Sequence, residues 1–407
     1  MKYLDFVDPT YMPKGTDLIC TFFIEPEGIS LKEAAGGVAA ESSIGTWTEL
    51  TTTQPYMNKL AAHVFSIEGN VVKIAYPIEL FEPSNMPNIL SSVAGNVFGL
   101  KALKNLRLLD IQMSKELIRS FKGPRFGIAG IRKLLKVPVR PLVGTIIKPK
   151  LGLDTKDHAD VAYEAWSGGC DIVKDDENLS SQKFNPFEDR IVQTLESRDK
   201  AQKETGERKV YMVNITAETE TMLKRAQAVV DQGGEYIMVD ILACGWSALQ
   251  TIRNQNLKLV IHAHRAGHAA FTKNPKHGIA MRPIATVARI IGVDQLHVGT
   301  VVGKMSETKG EVLENIDACK AELGGLKPVL PVASGGLHPR LVPALLETFG
   351  KDVVIQAGGG IHGHPNGTMA GAKAMRQAVD ATLESKTLEE YAKTHSELKE
   401  ALKLWSA

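Results

Sequence analysis

The run Lys174-Asp175-Asp176-Glu177 sets an amine among three carboxylates, directly after the apolar pair Ile172 and Val173. A hard divalent cation would bind there through oxygen ligands, and Mg²⁺ suits a site completed by waters and a substrate oxygen. Seen alone, such a charge run reads as a solvated loop; its place after a buried strand changes that reading. An ammonium at Lys174 would repel the cation. A neutral amine that has added CO₂ becomes a carbamate and supplies an anionic oxygen instead.

Other polar groups close apolar runs in the same way. Lys148 and Lys150, one residue apart, share a strand face, a costly pairing unless anions or ligand oxygens sit between them. In HAHRAGH, His262 and His264 share a face and Arg265 and His268 follow; the set can ligate a transition metal, or serve as acid, base and phosphate contact. His297 precedes GTVVGK, a Gly-hinged tip that can carry Lys304 over a bound substrate. The runs ASGG (Ser334, Gly335, Gly336) and AGGG (Gly358, Gly359, Gly360) let backbone N–H groups approach a phosphate. His362 and His364 follow the second glycine run and are assigned to local structure. These residues describe a metal-assisted enzyme acting on a phosphorylated small molecule, with Lys148, Lys150, Lys304, Arg265, His264 and His297 facing anionic oxygens. They do not name the reaction.

Groups so far apart in sequence need a scaffold that gathers strand ends. Eight β-rich runs recur at 142–150, 170–177, 209–216, 236–243, 258–266, 295–304, 328–336 and 352–360, separated by stretches of helical periodicity that several times end in Gly. Eight strand–helix units with near-continuous Val/Ile/Leu strands predict a (β/α)₈ TIM barrel, whose active site lies at the C-terminal ends of the strands. The preceding residues read strand, helix, strand, strand, helix, strand, a ferredoxin-like βαββαβ α+β domain. The expected division is 1–135 for this domain and 136–407 for the barrel with its C-terminal helices, joined through KGPRFGIAGIRKLLKVPVRP.

A chain of 407 residues has room for two or three domains. Its 48 Lys+Arg against 46 Asp+Glu give a net charge of +2, which offers no bulk attraction to nucleic acid or an anionic membrane. The four cysteines form no CxxC pair, so neither a zinc knuckle nor a redox dithiol is spelled out. The start MKYLDFVDPT lacks a signal pattern and no window reaches the ~18 apolar residues of a membrane span, so a cytoplasmic protein is expected.

At GGCDIVKDDEN the sequence resembles the large chain of ribulose-1,5-bisphosphate carboxylase/oxygenase (RuBisCO). The likeness continues through AAESSIGTWTEL, GNVFGLKALKNLRLLD, GTIIKPKLG, HAHRAGHA, HVGTVVGK, VASGG and QAGGGIHGHP, and so covers essentially the whole chain. It implies that Lys174 is carbamylated by an activator CO₂ and binds Mg²⁺ with Asp176 and Glu177, Asp175 pointing away. The carbamate then takes the C3 proton of ribulose 1,5-bisphosphate to give a Mg²⁺-stabilised enediolate, to which CO₂, or O₂ in a competing oxygenation, adds. Lys304 would stabilise the new carboxylate, Lys150 support Lys148, Lys148 protonate the final carbanion, and His264 transfer protons during hydration and cleavage to 3-phosphoglycerate. Arg265 and His297, with Ser334 nearby, would hold one phosphate, and Gly336, Gly358 and Gly359, with Thr46 and Trp47, the other; Gly335 is also among the substrate-binding residues. Glu41, Thr46, Trp47 and Asn96 would come from a second subunit, making a homodimer the minimal unit, with dimers of dimers open and no small subunit expected.

The frame is most similar to the archaeal (form III) group, whose members usually salvage nucleotide-derived ribulose bisphosphate. After Lys304 the chain reads MSETKGE where carboxylases usually have LEGE. Non-carboxylating relatives that act as enolases in methionine salvage are the alternative, but every position named above keeps the carboxylase pattern. A dinuclear hydrolase would need an HxH pair on the first barrel strand, where this chain has KPK.

Overall fold

In a computed structural model that describes residues 2–303 and 307–406, the chain forms two compact units. One comprises Met1–Gly123, Gly267–Ile291 and Glu322–Leu326; the other comprises Pro124–Ala266, Gly292–Ala321 and Lys327–Ala407.

The first unit carries the βαββαβ order. Strand β1 (Leu18–Pro26) alternates buried and half-buried residues, sending Leu18, Cys20, Phe22 and Ile24 to one face. The helix Leu31–Glu41 begins at a capping box in which Ser30 and Glu33 satisfy each other's backbone N–H groups. Strands β2 (His63–Glu68) and β3 (Val71–Tyr76), the helix Met86–Val93 and β4 (Leu103–Gln112) complete the motif. The sheet runs antiparallel in the order β4-β1-β3-β2, as in ferredoxin-like folds. Periodicity alone extends the second helix through Gly99. The structure ends it at Val93 because Gly95 folds tightly onto the Ser91 carbonyl, and a 3₁₀ turn over Asn96–Gly99 follows. A short fifth strand, Gly278–Ile279, pairs parallel with β4; two residues leave no periodicity to detect.

The second unit is a closed parallel barrel. Its strands are β5 (Leu142–Ile146), β6 (Ile172–Lys174), β7 (Val210–Asn214), β8 (Tyr236–Asp240) and β9 (Val260–His264). After Gly278–Ile279 (β10) come β11 (Gln295–His297), β12 (Leu330–Ser334) and β13 (Val354–Ala357). All eight expected runs are strands. Their inward positions begin with Leu142, Ile172, Val210, Tyr236, Val260, Leu330 and Val354, which form one core with Ile131 and Leu135 of the helix Gly127–Leu135. Seven of the eight strands therefore start in a plugged apolar floor, and β11 starts at the buried amide Gln295. The final segment, periodic enough to read as one helix, is two, Leu388–Tyr391 and Ser396–Leu404, broken where the His395 ring stacks on Tyr391. Among the described residues no helix is long and apolar enough to cross a membrane.

Candidate active site

Strand alternation carries the apolar floor upward into a polar rim. Two residues beyond each floor position on β6, and four beyond it on β7, β8, β9 and β12, stand Lys174, Asn214, Asp240, His264 and Ser334, with His297 closing β11. Between floor and rim lies a layer of buried polar groups. His262 Nδ1 is 3.1 Å from Gln295 Oε1, and the Gln356 amide donates to the Thr145 carbonyl, with Gly144 leaving the room its side chain fills.

The β6 terminus divides its charges between two environments. Lys174, fully buried, follows the inward phase of Ile172; its Nζ donates to the Asp175 carbonyl at 2.6 Å and lies 3.9 Å from Glu177 Oε2. Burial pulls its pKa below that of a free lysine, although Glu177, Asp176 and Asp240 oppose the shift. Asp175 has the opposite phase and goes outward among helices. It accepts from Tyr211 Oη at 2.5 Å and from the Asn214 N–H at 2.9 Å, with His158 Nε2 at 3.1 Å and Arg190 Nε at 3.4 Å. Burial alone would raise its pKa; the Arg190 charge and these hydrogen bonds win and hold it at about 2. Asp175 is an anchor for the strand end.

The segment after β5 folds over this terminus. Lys148 Nζ lies 2.5 Å from Asp176 Oδ2, and Lys150 Nζ 3.4 Å from Asn178 Oδ1. Against the expectation from their spacing, the two lysines share no strand face, because β5 ends at Ile146 and both lie in the bend that follows; each meets its own oxygen, of a carboxylate or a side-chain amide. Glu177 also approaches His264, 3.7 Å from its Nε2. Burial would raise Glu177; Lys174 and then His264 outweigh it and keep its pKa below the usual carboxylate value. His264 presents that Nε2 because Asp240 takes its Nδ1 at 2.6 Å. Asp240 and Asn214 belong to no motif, but both are polar ends of barrel strands, the same signal that marks Lys174 and His264.

A second cluster lies around His297. Its Nδ1 is 2.7 Å from Ser334 Oγ, and its ring meets those of His262 and His264 edge-on, each at 4.7 Å. Burial, then the neighbouring imidazoles, push its pKa well below 6.5, so it is neutral. Arg265, also buried, pairs with Glu307. Ser334 runs into Gly335 and Gly336, at φ +121° and +72°, where side chains would be strained. Gly358 follows β13 so close to Lys148 that a Cβ would stand 3.1 Å from its Cε, while the space about Gly359 is open. His362 hydrogen-bonds Thr145 and the Ile146 carbonyl and His364 the Glu397 carbonyl, local roles both. His268 pairs with Thr272.

Lys304 lies outside the described residues. Glu41, Thr46, Trp47 and Asn96 belong to the first unit. There Glu41 accepts from Tyr3 Oη at 3.0 Å, Asn96 is exposed, and Trp47 has 81% of its surface open, an unusual cost for an indole.

Carboxylates that could hold a metal stand at the β6 terminus. Among the described residues no three His, Cys, Asp or Glu stand together as a ligand set, so the histidines of HAHRAGH are not gathered around a transition metal. Asp176 and Glu177 remain beside the buried amine of Lys174, and carboxylate oxygens of this kind fit Mg²⁺.

Comparison with known proteins agrees across both units. Residues 127–405 match the family "Ribulose bisphosphate carboxylase large chain, catalytic domain", and residues 5–117 match the corresponding N-terminal domain. A ribulose bisphosphate carboxylase of Pyrococcus abyssi is 52% identical, the alignment covering 99% of this chain and 96% of that one. Octameric Rubisco from Pyrococcus horikoshii, solved with sulfate ion, superposes with a TM-score of 0.96 at 52% identity over 99% of this chain and 96% of that one. A dimeric archaeal Rubisco from Hyperthermus butylicus gives 0.92 at 44% identity over 99% of each chain. With the polar rim of the barrel, the βαββαβ unit and full-length relatives all in accord, the chain belongs to the RuBisCO large-chain family.

Proposed function

We propose that the protein carboxylates ribulose 1,5-bisphosphate to 3-phosphoglycerate, with competing oxygenation, at the mouth of its barrel. The observation that carries the reading is Lys174: a fully buried amine, depressed in pKa, 3.9 Å from a carboxylate that also faces His264. An uncharged amine is the form that attacks CO₂. The N–C bond forms, the nitrogen loses a proton, and a carbamate stands where the lysine was. With Asp176 and Glu177 it makes three anionic ligands, which the described residues otherwise lack. Mg²⁺ held by them would supply Lewis-acid polarisation of the substrate oxygens.

The remaining roles fall to residues of the chain. The Lys174 carbamate takes the C3 proton. Lys148, which pairs with Asp176, returns a proton to the final carbanion, with Lys150 supporting it. His264, held through Nδ1 by Asp240, offers Nε2 for proton transfer in hydration and cleavage. Arg265, His297 and Ser334 bind one phosphate; Arg265 Nη1 and His297 Nε2 are buried donors or acceptors with no partner among the described residues, as an anion site requires. Gly335, Gly336, Gly358 and Gly359 receive the other phosphate on backbone N–H groups. Lys304 steadies the incoming CO₂.

Glu41, Thr46, Trp47 and Asn96 complete the site from a second subunit, which the exposed Trp47 supports and which makes a homodimer the working unit. Assembly of dimers is in keeping with the octameric and dimeric relatives. The methionine-salvage enolase reading is not favoured, since the full-length relatives are named carboxylases. Labelled CO₂ with ribulose bisphosphate, before and after preincubation with CO₂ and Mg²⁺, tests the proposal. Label in 3-phosphoglycerate is expected, greater after preincubation; its absence would end the carboxylase reading.

A further inference from the structure

The Arg265 guanidinium is an anion site already half occupied. Its Nη2 lies 2.5 Å from Glu307 Oε1, and the two side chains are 6% and 12% exposed. Its Nη1 is buried without a hydrogen-bond partner among the described residues. A planar guanidinium with one donor on a carboxylate and another unused can take up a larger anion through both. The backbone is shaped for the pairing. Gly299 has φ +92°, and a Cβ there would stand 3.1 Å from both Arg265 Nη2 and Glu307 Oε1. Glu307 also lies in MSETKGE, the stretch where this chain departs from the usual LEGE.

We propose that Glu307 is a built-in competitor for the phosphate subsite: it holds Arg265 in the absence of substrate, and one phosphate of the sugar bisphosphate displaces it. This rests on the assignment of Arg265 to phosphate above and adds a residue that sets affinity there. A carboxylate carries one charge, whereas a phosphate monoester carries close to two and has three acceptor oxygens. The exchange therefore favours phosphate, which can engage Nη1 and His297 Nε2 as well as Nη2. A resident competitor weakens apparent affinity, since the apparent Kd is the intrinsic one divided by the fraction of molecules in which Arg265 is free. The alternative is a permanent brace, in which Glu307 stays on Nη2 and phosphate uses Nη1 alone. The two differ in sign: removing a competitor tightens phosphate binding, and removing a brace loosens it.

The test is calorimetric titration of inorganic phosphate and of ribulose bisphosphate into the full-length protein, wild type, Glu307→Gln and Glu307→Ala, each also in an Arg265→Gln background. Both Glu307 variants are expected to bind phosphate roughly tenfold tighter, the scale of a lost charge-assisted hydrogen bond, with the gain abolished when Arg265 is absent. Unchanged or weaker binding in either folded variant, or a gain that persists without Arg265, overturns the proposal. Binding needs no turnover, so the outcome is independent of the carboxylase reading. A protein that fixes no CO₂ yet binds phosphate tighter as Glu307→Gln would sink the latter alone.

Discussion

Asp175→Asn leaves the Arg190 guanidinium, wholly buried, without the carboxylate 3.4 Å from its Nε. Tyr211 Oη and the Asn214 N–H keep an oxygen to bond, so what the substitution removes is charge. Two routes bound the cost. Holding the carboxyl at about 2 rather than 3.8 corresponds to about 2–3 kcal/mol at roughly 1.4 kcal/mol per pH unit. Stranding one member of a buried ion pair costs about 3–5 kcal/mol. About 3 kcal/mol at pH 7 is expected, read as a lower urea midpoint at an unchanged slope. The sign of the pH dependence follows from a depressed carboxyl. Its contribution is complete above pH 3.8 and is lost as pH falls through about 2, so the gap between wild type and variant is constant from about pH 5 to 8 and closes toward pH 2. A gap under about 1 kcal/mol at pH 7, or one that persists unchanged at low pH, would refute the assignment of Asp175 as a charged anchor.

Asp240→Asn, which loses the carboxylate orienting His264, should lower kcat about 10–100-fold with little change in melting temperature; steady-state kinetics and a thermal melt check both. Gly360→Ala would put a Cβ 1.9 Å from the Leu337 carbonyl oxygen, just beyond the Gly335–Gly336 turn. It should cost about 1–3 kcal/mol of stability and raise KM for ribulose bisphosphate. Chelation should abolish turnover, restored by Mg²⁺ with CO₂, while the circular dichroism spectrum stays unchanged because the apolar floor, Leu142 to Val354, uses no metal.

Much of the scaffold was legible because its signals are local. Buried parallel strands read as apolar runs, and each run ended where the polar rim now stands, from Lys174 to Ser334. What stayed hidden was pairing between distant residues. Nothing in the spacing of His158, Arg190 and Tyr211 says that all three surround Asp175, and nothing links Glu307 to Arg265 across more than forty positions. Opposite strand phase does separate Asp175 from Lys174, and that much follows from alternation alone. The ends of two helices also escaped periodicity, because a glycine contact at Gly95 and a ring stack at His395 stop them.

The account turns on the modification of one amine. Wild-type protein incubated with ¹³CO₂ and Mg²⁺ should show a carbamate carbon resonance that is absent from Lys174→Gln, together with CO₂ fixation that the variant has lost. Full carboxylase activity in a protein with no carbamate signal at Lys174 would contradict it.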